Sequence, residues 1–279
     1  MHFKTLEHVH PEVIRNTLNL AFSDYLVPFQ LSPAQFDLKL KSDRINLAKS
    51  VGAFETADSG ETMLGLILHG EDTINGKPVL YNAATGVIPD KRGQQLCKKM
   101  MEFLQNQLSE TVQFQLEVIE ENRKAIHIYR DLGFKSERML ECFKGSIKPN
   151  LPELGYTVEM VEFPEYSEIE CFADWQPAWG NSYQAIQTLK QQNITLGIKK
   201  DHKLVAYLNY NPVSNRVQQF AVHPKWRRKG MATALFSTLA NDFTKDLVVL
   251  NVDADSESTI AFLKSIGLQF FISQHEMVK

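Results

Sequence analysis

Residues 227–232 read Arg-Arg-Lys-Gly-Met-Ala and combine the two things an anion site needs, positive charge and an approachable backbone. They follow Val222-His-Pro224, where an apolar run ends, and they lead into an amphipathic stretch. That order predicts a turn from a strand into a helix N-terminus. The first N–H groups of a helix have no intrahelical acceptor, and the helix dipole favours negative charge there. Gly230 lets a phosphate approach with no Cβ in the way. Ala232, one residue beyond Met231, keeps the next turn narrow, and Arg227, Arg228 and Lys229 add charge.

The same order occurs earlier in the chain. Residues 87–104 read VIPDKRGQQLCKKMMEFL and residues 222–239 read VHPKWRRKGMATALFSTL. Val87, Pro89 and Arg92 match Val222, Pro224 and Arg227 at a common offset of 135 residues. Farther on, Leu132-Gly-Phe134 matches Ile266-Gly-Leu268 at an offset of 134. Two signals some forty residues apart keep their spacing in both halves, which indicates a duplication. Gly93 belongs to the first copy of the loop, but Gln95 stands where the second copy has Gly230, and Cys97 stands where it has Ala232.

The elements that must position these loops alternate along each half. Apolar spacing predicts helices over 11–22 and 33–49, strands at 50–55, 62–69 and 79–87, a helix from Gly93 to Leu108, a strand at 112–119 and a helix at 122–132. Asp58-Ser-Gly60 and Asn75-Gly76 supply turns. Strands at 134–143 and 155–162 would finish this half. The second half predicts strands at 194–199, 203–210 and 216–222, a helix at 230–243, a strand at 247–252, a helix at 256–266 and a last strand at 269–278. The Gly- and Pro-containing segment 145–154 reads as a linker, giving domains 1–150 and 156–279. At the front of the second, the aromatic-rich segment 163–193 is expected to dock on the first half.

With 279 residues and 43% hydrophobic content the chain has ample material for a core. Thirty basic against 33 acidic residues give a net charge of −3, which argues against nucleic acid as the main partner. Three scattered cysteines fit a reducing compartment and no zinc cage. No secretory h-region opens the sequence, and no apolar run reaches the roughly 20 residues that span a bilayer, so a soluble, cytoplasmic protein without a membrane partner is expected.

The loop resembles the [Arg/Gln]-X-X-Gly-X-[Gly/Ala] signature of the GNAT superfamily of acyl-CoA-dependent N-acyltransferases. Leu116-Glu-Val118 followed by Asn122-X-X-Ala125-Ile126-X-X-Tyr129-X-X-Leu-Gly-Phe134 is similar to the second conserved block of that family. The resemblance covers nearly the whole chain, as two copies. It implies an α+β fold of two tandem units, each a mixed, mostly antiparallel sheet flanked by helices. It also implies acetyl-CoA as co-substrate, no metal, and an amine of a small molecule or peptide as acceptor, in a monomer or homodimer. The site residues it implies are Val222 and Arg227–Ala232 in the second half and Val87, Arg92, Gly93 and Asn122 in the first, all around the coenzyme. Tyr129 would be the acid that protonates the leaving thiolate.

Neither half carries the complete set. The first has Gln95 in the glycine position, while the second has Leu263 where the first has Tyr129, and Ser256 where it has Asn122. Catalysis therefore competes with a non-catalytic reading in which one or both halves bind CoA or build a scaffold. Several residues have two readings. Asn122 suits a helix N-cap as well as a site, and Glu117 suits a general base as well as an outward strand position. Trp175 and Trp179 suit a small core better than an acceptor pocket. Gln218 and Gln219 cannot take a proton, His223 reads as structural, and Cys97 has no histidine near it in sequence to activate it.

Overall fold

The computed structural model describes residues 1–25, 27–58, 60–74, 76–108, 112–148 and 156–279. Residues 149–154 of the expected linker, and Ser59 and Asn75 of the two expected turns, lie outside these. The chain forms two compact units, Met1–Glu137 with His275–Lys279, and Arg138–Gln274.

Unit 1 opens with β1 (His2–Thr5), α1 (Pro11–Ala21) and α2 (Pro33–Ser42). Each helix has proline in its first turn, where the missing N–H costs nothing. Ser32 and Gln35 form a reciprocal capping box on α2. The predicted helix 33–49 ends early, because Arg44 turns left-handed (φ 55°) and Ile45 bridges to Gly70. Then come β2 (Val51–Ala57), β3 (Gly60–Ile74), β4 (Lys77–Val87), α3 (Leu96–Gln105), β5 (Gln113–Ile119), α4 (Arg123–Asp131) and β6 (Lys135–Ser146). Strands β1 to β4 pair antiparallel in sequence order, and β4 pairs parallel with β5.

Pleating sends the side chains of this sheet to two separate cores. Leu66 and Leu68 of β3 pack with Ile14, Leu18, Phe36 and Phe54 beneath α1 and α2. Leu64, Ile67, Leu80, Leu116 and Val118 pack with Met100, Leu104 and Ile126 beneath α3 and α4. Each fully buried Leu, Ile, Met or Phe in these layers contributes about 1.5–3 kcal/mol.

Unit 2 contains β7 (Glu159–Met160), α5 (Tyr166–Ile169), α6 (Tyr183–Thr188), β8 (Ile194–Lys200), β9 (Lys203–Asn211), β10 (Arg216–Val222), α7 (Met231–Asp242), β11 (Asp246–Asp253), α8 (Glu257–Ser265) and β12 (Gln269–Val278). Strands β7 to β10 are antiparallel neighbours in order, and β10 pairs parallel with β11. The strand predicted at 155–162 is only two residues long and pairs with β8, so it opens this unit instead of closing the first. The aromatics of 163–193 pack within their own unit: Phe163 and Phe172 sit against Tyr207 of β9, and Trp179 is buried.

The closing strands follow the pairing, not the order, of the halves. Residues of β6 from Leu140 to Ser146 pair antiparallel with β11 and belong to unit 2. In unit 1, Phe114 of β5 exchanges both backbone hydrogen bonds with Lys279, at 2.8 and 2.9 Å, and Met277 enters the core beneath α3 and α4. Among the described residues no helix is long and apolar enough to cross a membrane.

Candidate active site

The cleft in each unit begins where a parallel ladder stops. In unit 1 the β4–β5 ladder runs from Val79–Gln113 to Asn82–Leu116, while β4 stays paired to β3 as far as Val87–Gly65. The stop coincides with a bulge, for Leu68 opposes Ala84 but His69 opposes Asn82, leaving Ala83 extra. A bulge bends its strand and breaks the ladder locally. Unit 2 repeats this. The β10–β11 ladder has only Arg216–Val248 and Val217–Val249, and Gln218 is the extra residue of β10. Ala83 and Gln218 lie at the offset of the duplication.

Strand alternation then decides which amides face the gap. Ile88 N–H bonds Leu64 O at 2.9 Å on the β3 side, so the N–H groups of Val87 and Thr85 turn to the side β5 has left. His223 N–H bonds Val205 O at 2.8 Å, which turns Val222 and Phe220 the same way in unit 2.

Beyond each strand a single 3-10 turn, Pro89–Lys91 or Pro224–Trp226, leads into the charged loop. Both loops are left-handed at the same two positions, Gly93 (φ 80°) and Gln95 (φ 58°) in unit 1, Arg228 (φ 59°) and Gly230 (φ 83°) in unit 2. Backbone that alternates in this way turns successive N–H groups toward one point and forms an anion nest. Among the described residues the N–H groups of Gly93–Lys98 and Arg228–Thr233 have no acceptor. Gln95 thus keeps the backbone shape of Gly230, at a cost of about 1–2 kcal/mol for a residue with a Cβ. Met231 is buried under its loop and Ala232 is half-buried, while Arg228 and Lys229 are exposed. Lys229 lies 4.6 Å from the Trp226 ring centre, and its carbonyl accepts from Tyr156 Oη at 2.7 Å.

Arg92 and Arg227 are engaged elsewhere. Arg92 donates from Nε to Val87 O (3.1 Å), from Nη2 to Ala21 O (3.0 Å), and from both Nη atoms to Asp24 (2.7 Å each). Arg227 donates from Nε to Val222 O (3.0 Å), from Nη2 to Phe172 O (2.8 Å), and from Nη1 to Asp174 (2.7 and 2.8 Å). The guanidinium holds the Asp24 carboxyl below its ordinary range.

Tyr129 lies on α4 with its ring against Phe134, and Thr85 and Asn82 of β4 are its polar neighbours. Those two side chains also bond each other, at 2.7 and 3.0 Å. Burial drives the phenol pKa far above its usual value. Nearby, burial pushes the Cys97 thiol up to about 11, so it stays protonated. Asn122 Oδ1 accepts Ala125 N–H at 3.1 Å, so Asn122 caps α4. Glu117 is the first residue of β5 past the last one paired with β4. Its neighbours Leu116 and Val118 face α3 and α4, so Glu117 faces the other way, and its Oε2 accepts from Tyr81 Oη at 2.6 Å.

In unit 2 the place of Tyr129 is filled by fully buried Leu263, and Phe220, Phe236 and Phe262 pack together with ring centres 5.0–5.8 Å apart. Gln218 and Gln219 donate to the carbonyls of Gly180 and Asn181. His223 Nδ1 accepts Lys225 N–H, and its ring stands edge-on to Phe172, a structural role. Sequence reasoning missed Asn82, Thr85, Tyr81, Asp24 and Asp174, none of which sits in a motif. Among the described residues no group of three or more His, Cys, Asp or Glu could hold a metal ion.

Two units, each with a splayed parallel pair and an amide-lined loop opening a helix, define an acyltransferase fold. The chain belongs to the acetyltransferase (GNAT) family, whose model matches residues 17–134 and again 156–268. No curated protein matches the sequence. Among solved structures, a GCN5-related N-acetyltransferase from Sphaerobacter thermophilus is 13% identical, with a TM-score of 0.71 over 100% of this chain and 95% of that one. A tandem GNAT protein from the clavulanic acid biosynthesis pathway is 12% identical, with a TM-score of 0.66 over 100% of this chain and 98% of that one. A GCN5-related N-acetyltransferase from Anabaena variabilis is 12% identical, with a TM-score of 0.61 over 100% of this chain and 72% of that one. At these identities the likeness is one of fold.

Proposed function

We propose that unit 1 transfers an acetyl group from acetyl-CoA to the amine of a small molecule or peptide, by direct attack. The observation that carries this reading is the place of Tyr129, on α4 against Phe134 and beside Thr85 and Asn82, where β4 parts from β5. Acetyl-CoA supplies the activated thioester. The chain fits it through the unengaged amides of Gly93–Lys98, which suit a pyrophosphate, and through the Val87 and Thr85 N–H groups along the gap. A donor aimed where oxygen gains negative charge stabilises the transition state. Tyr129, held protonated across the neutral range, is suited to give a proton to the thiolate. Glu117 is suited to take the ammonium proton from the opposite face, with Tyr81 holding its carboxylate.

A second reading is favoured for unit 2 by a separate observation. Leu263 and Phe220 replace the phenol and the threonine, so this unit keeps a loop for CoA without a proton to give. The loop residues Arg228, Lys229, Gly230, Met231 and Ala232 would then bind without turnover. Calorimetry with acetyl-CoA, followed by thiol release over a panel of amines, tests both readings. Release that survives Gly230→Val but not Tyr129→Phe supports unit 1 as the engine. Binding with no release for any amine supports the non-catalytic alternative for the whole chain.

A further inference from the structure

The loop arginine of each unit, the residue a motif reading assigns to the phosphate, engages the same three kinds of partner in both units. One guanidinium joins three pieces of chain. Nε holds the carbonyl that ends the splayed strand, Val87 or Val222; Nη2 holds a carbonyl of the segment that follows the unit's first strand, Ala21 or Phe172; and an aspartate two or three residues farther on pairs with the guanidinium, Asp24 through both Nη atoms and Asp174 through Nη1 alone. In unit 1 the end of α1 can come this close because Gly86 has no side chain. A Cβ there would lie 2.8 Å from Ala21 Cβ and 2.9 Å from Phe22. The partners differ in sequence distance, 68 residues for Asp24 and 53 for Asp174, so the arrangement does not follow from the repeat spacing alone.

We propose that Asp24 and Asp174 are positioning residues for the two loops, holding Arg92 and Arg227 on the strand ends and away from any phosphate. Resting on the coenzyme reading above, this assigns pyrophosphate recognition to the backbone amides and to Arg228 and Lys229, neither of which is paired with a carboxylate among the described residues. Bidentate pairing with a carboxylate is specific to the guanidinium fork, and lysine cannot reproduce it.

The direction of one effect decides the matter. If the clamp positions the loop, Asp24→Asn and Arg92→Lys both raise KM for acetyl-CoA, by about threefold to fivefold for a pair this exposed, with kcat little changed. The double variant is then no worse than the weaker single one, because both remove one interaction. If Arg92 is a phosphate ligand, Arg92→Lys raises KM but Asp24→Asn releases the charge and lowers it, which overturns the proposal. A second readout is independent of turnover. In spectra of the full chain labelled at arginine nitrogen, the Hε signals of Arg92 and Arg227 should be slowly exchanging without CoA. They should be lost separately in Asp24→Asn and Asp174→Asn. Wild-type protein that neither binds CoA nor releases thiol defeats the functional reading but leaves this spectral test standing, and Hε signals that survive both substitutions sink the clamp.

Discussion

Tyr129→Phe removes one oxygen from a site whose other members remain paired. Asn82 and Thr85 keep their two mutual bonds, so neither is orphaned when the phenol goes. The stability cost is then at most that of one ordinary hydrogen bond, about 1 kcal/mol. For a unit of this size that corresponds to a fall in melting temperature of about 2–4 °C. The ring contact with Phe134, at 5.6 Å between centres, is retained. Loss of a positioned general acid instead costs about 10²-fold or more in turnover. The two magnitudes separate the roles, since a packing residue changes the melt and an acid changes kcat. Because burial raises the phenol pKa, the wild-type rate should show no falling limb from this group below pH 10. The assay is initial-rate thiol release at saturating acetyl-CoA, with CoA affinity measured in parallel. A Phe variant with wild-type kcat refutes the assignment and returns Tyr129 to the core.

Gly230→Val places a β-branched residue at φ 83° and should weaken CoA binding at unit 2 at least tenfold, whereas Gln95→Gly relieves about 1 kcal/mol of left-handed strain and should raise both the melting temperature of unit 1 and its affinity; calorimetry showing unchanged affinity in both variants would place the cradle elsewhere. His69 is fully buried, with Nδ1 on Lys49 O, and its pKa is lowered from 6.5 to about 4, so the stability tied to its neutral form is complete above pH 6.5 and is lost as pH falls toward 4. By pH 5 that loss is about 2 kcal/mol, and His69→Leu should flatten this part of the denaturation profile; parallel slopes for the two proteins count against it. Met277 is fully buried in the core of unit 1, so Met277→Ala should destabilise that unit by about 2–4 kcal/mol, and a urea transition confined to unit 2 would contradict the strand assignment.

What the sequence discloses and what it hides divide on physical lines. The two loops are legible because close backbone approach needs glycine or small residues at fixed spacing, and Gly93, Gly230 and Ala232 stand there. Tyr129 is legible through the block around it. The bulges are not, since Ala83 and Gln218 have no chemistry in common and only pairing with β3 and β9 makes them extra. Asp24 and Asp174 are hidden because they meet their arginines across unequal stretches of chain. Gln95 looks like a defect in sequence, yet its backbone adopts the same left-handed turn as Gly230. The residues of 269–278 foretell a strand, but nothing in them says which neighbour the strand will join.

That last strand bears on how the protein is made. On the ribosome β5 is complete more than 150 residues before Lys279 exists to pair with Phe114, an interval of about 10–30 s at ordinary elongation rates. Through that time unit 1 holds four antiparallel strands and a fifth with an unpaired side, the kind of open edge that recruits foreign strands. The residues matched by the family, 17–134 and 156–268, stop short of both closing strands. A gene cut at the linker would therefore yield two fragments that each match the family and each lack a closing strand. Recovery of a working N-terminal half would depend on supplying the chain's last residues along with it.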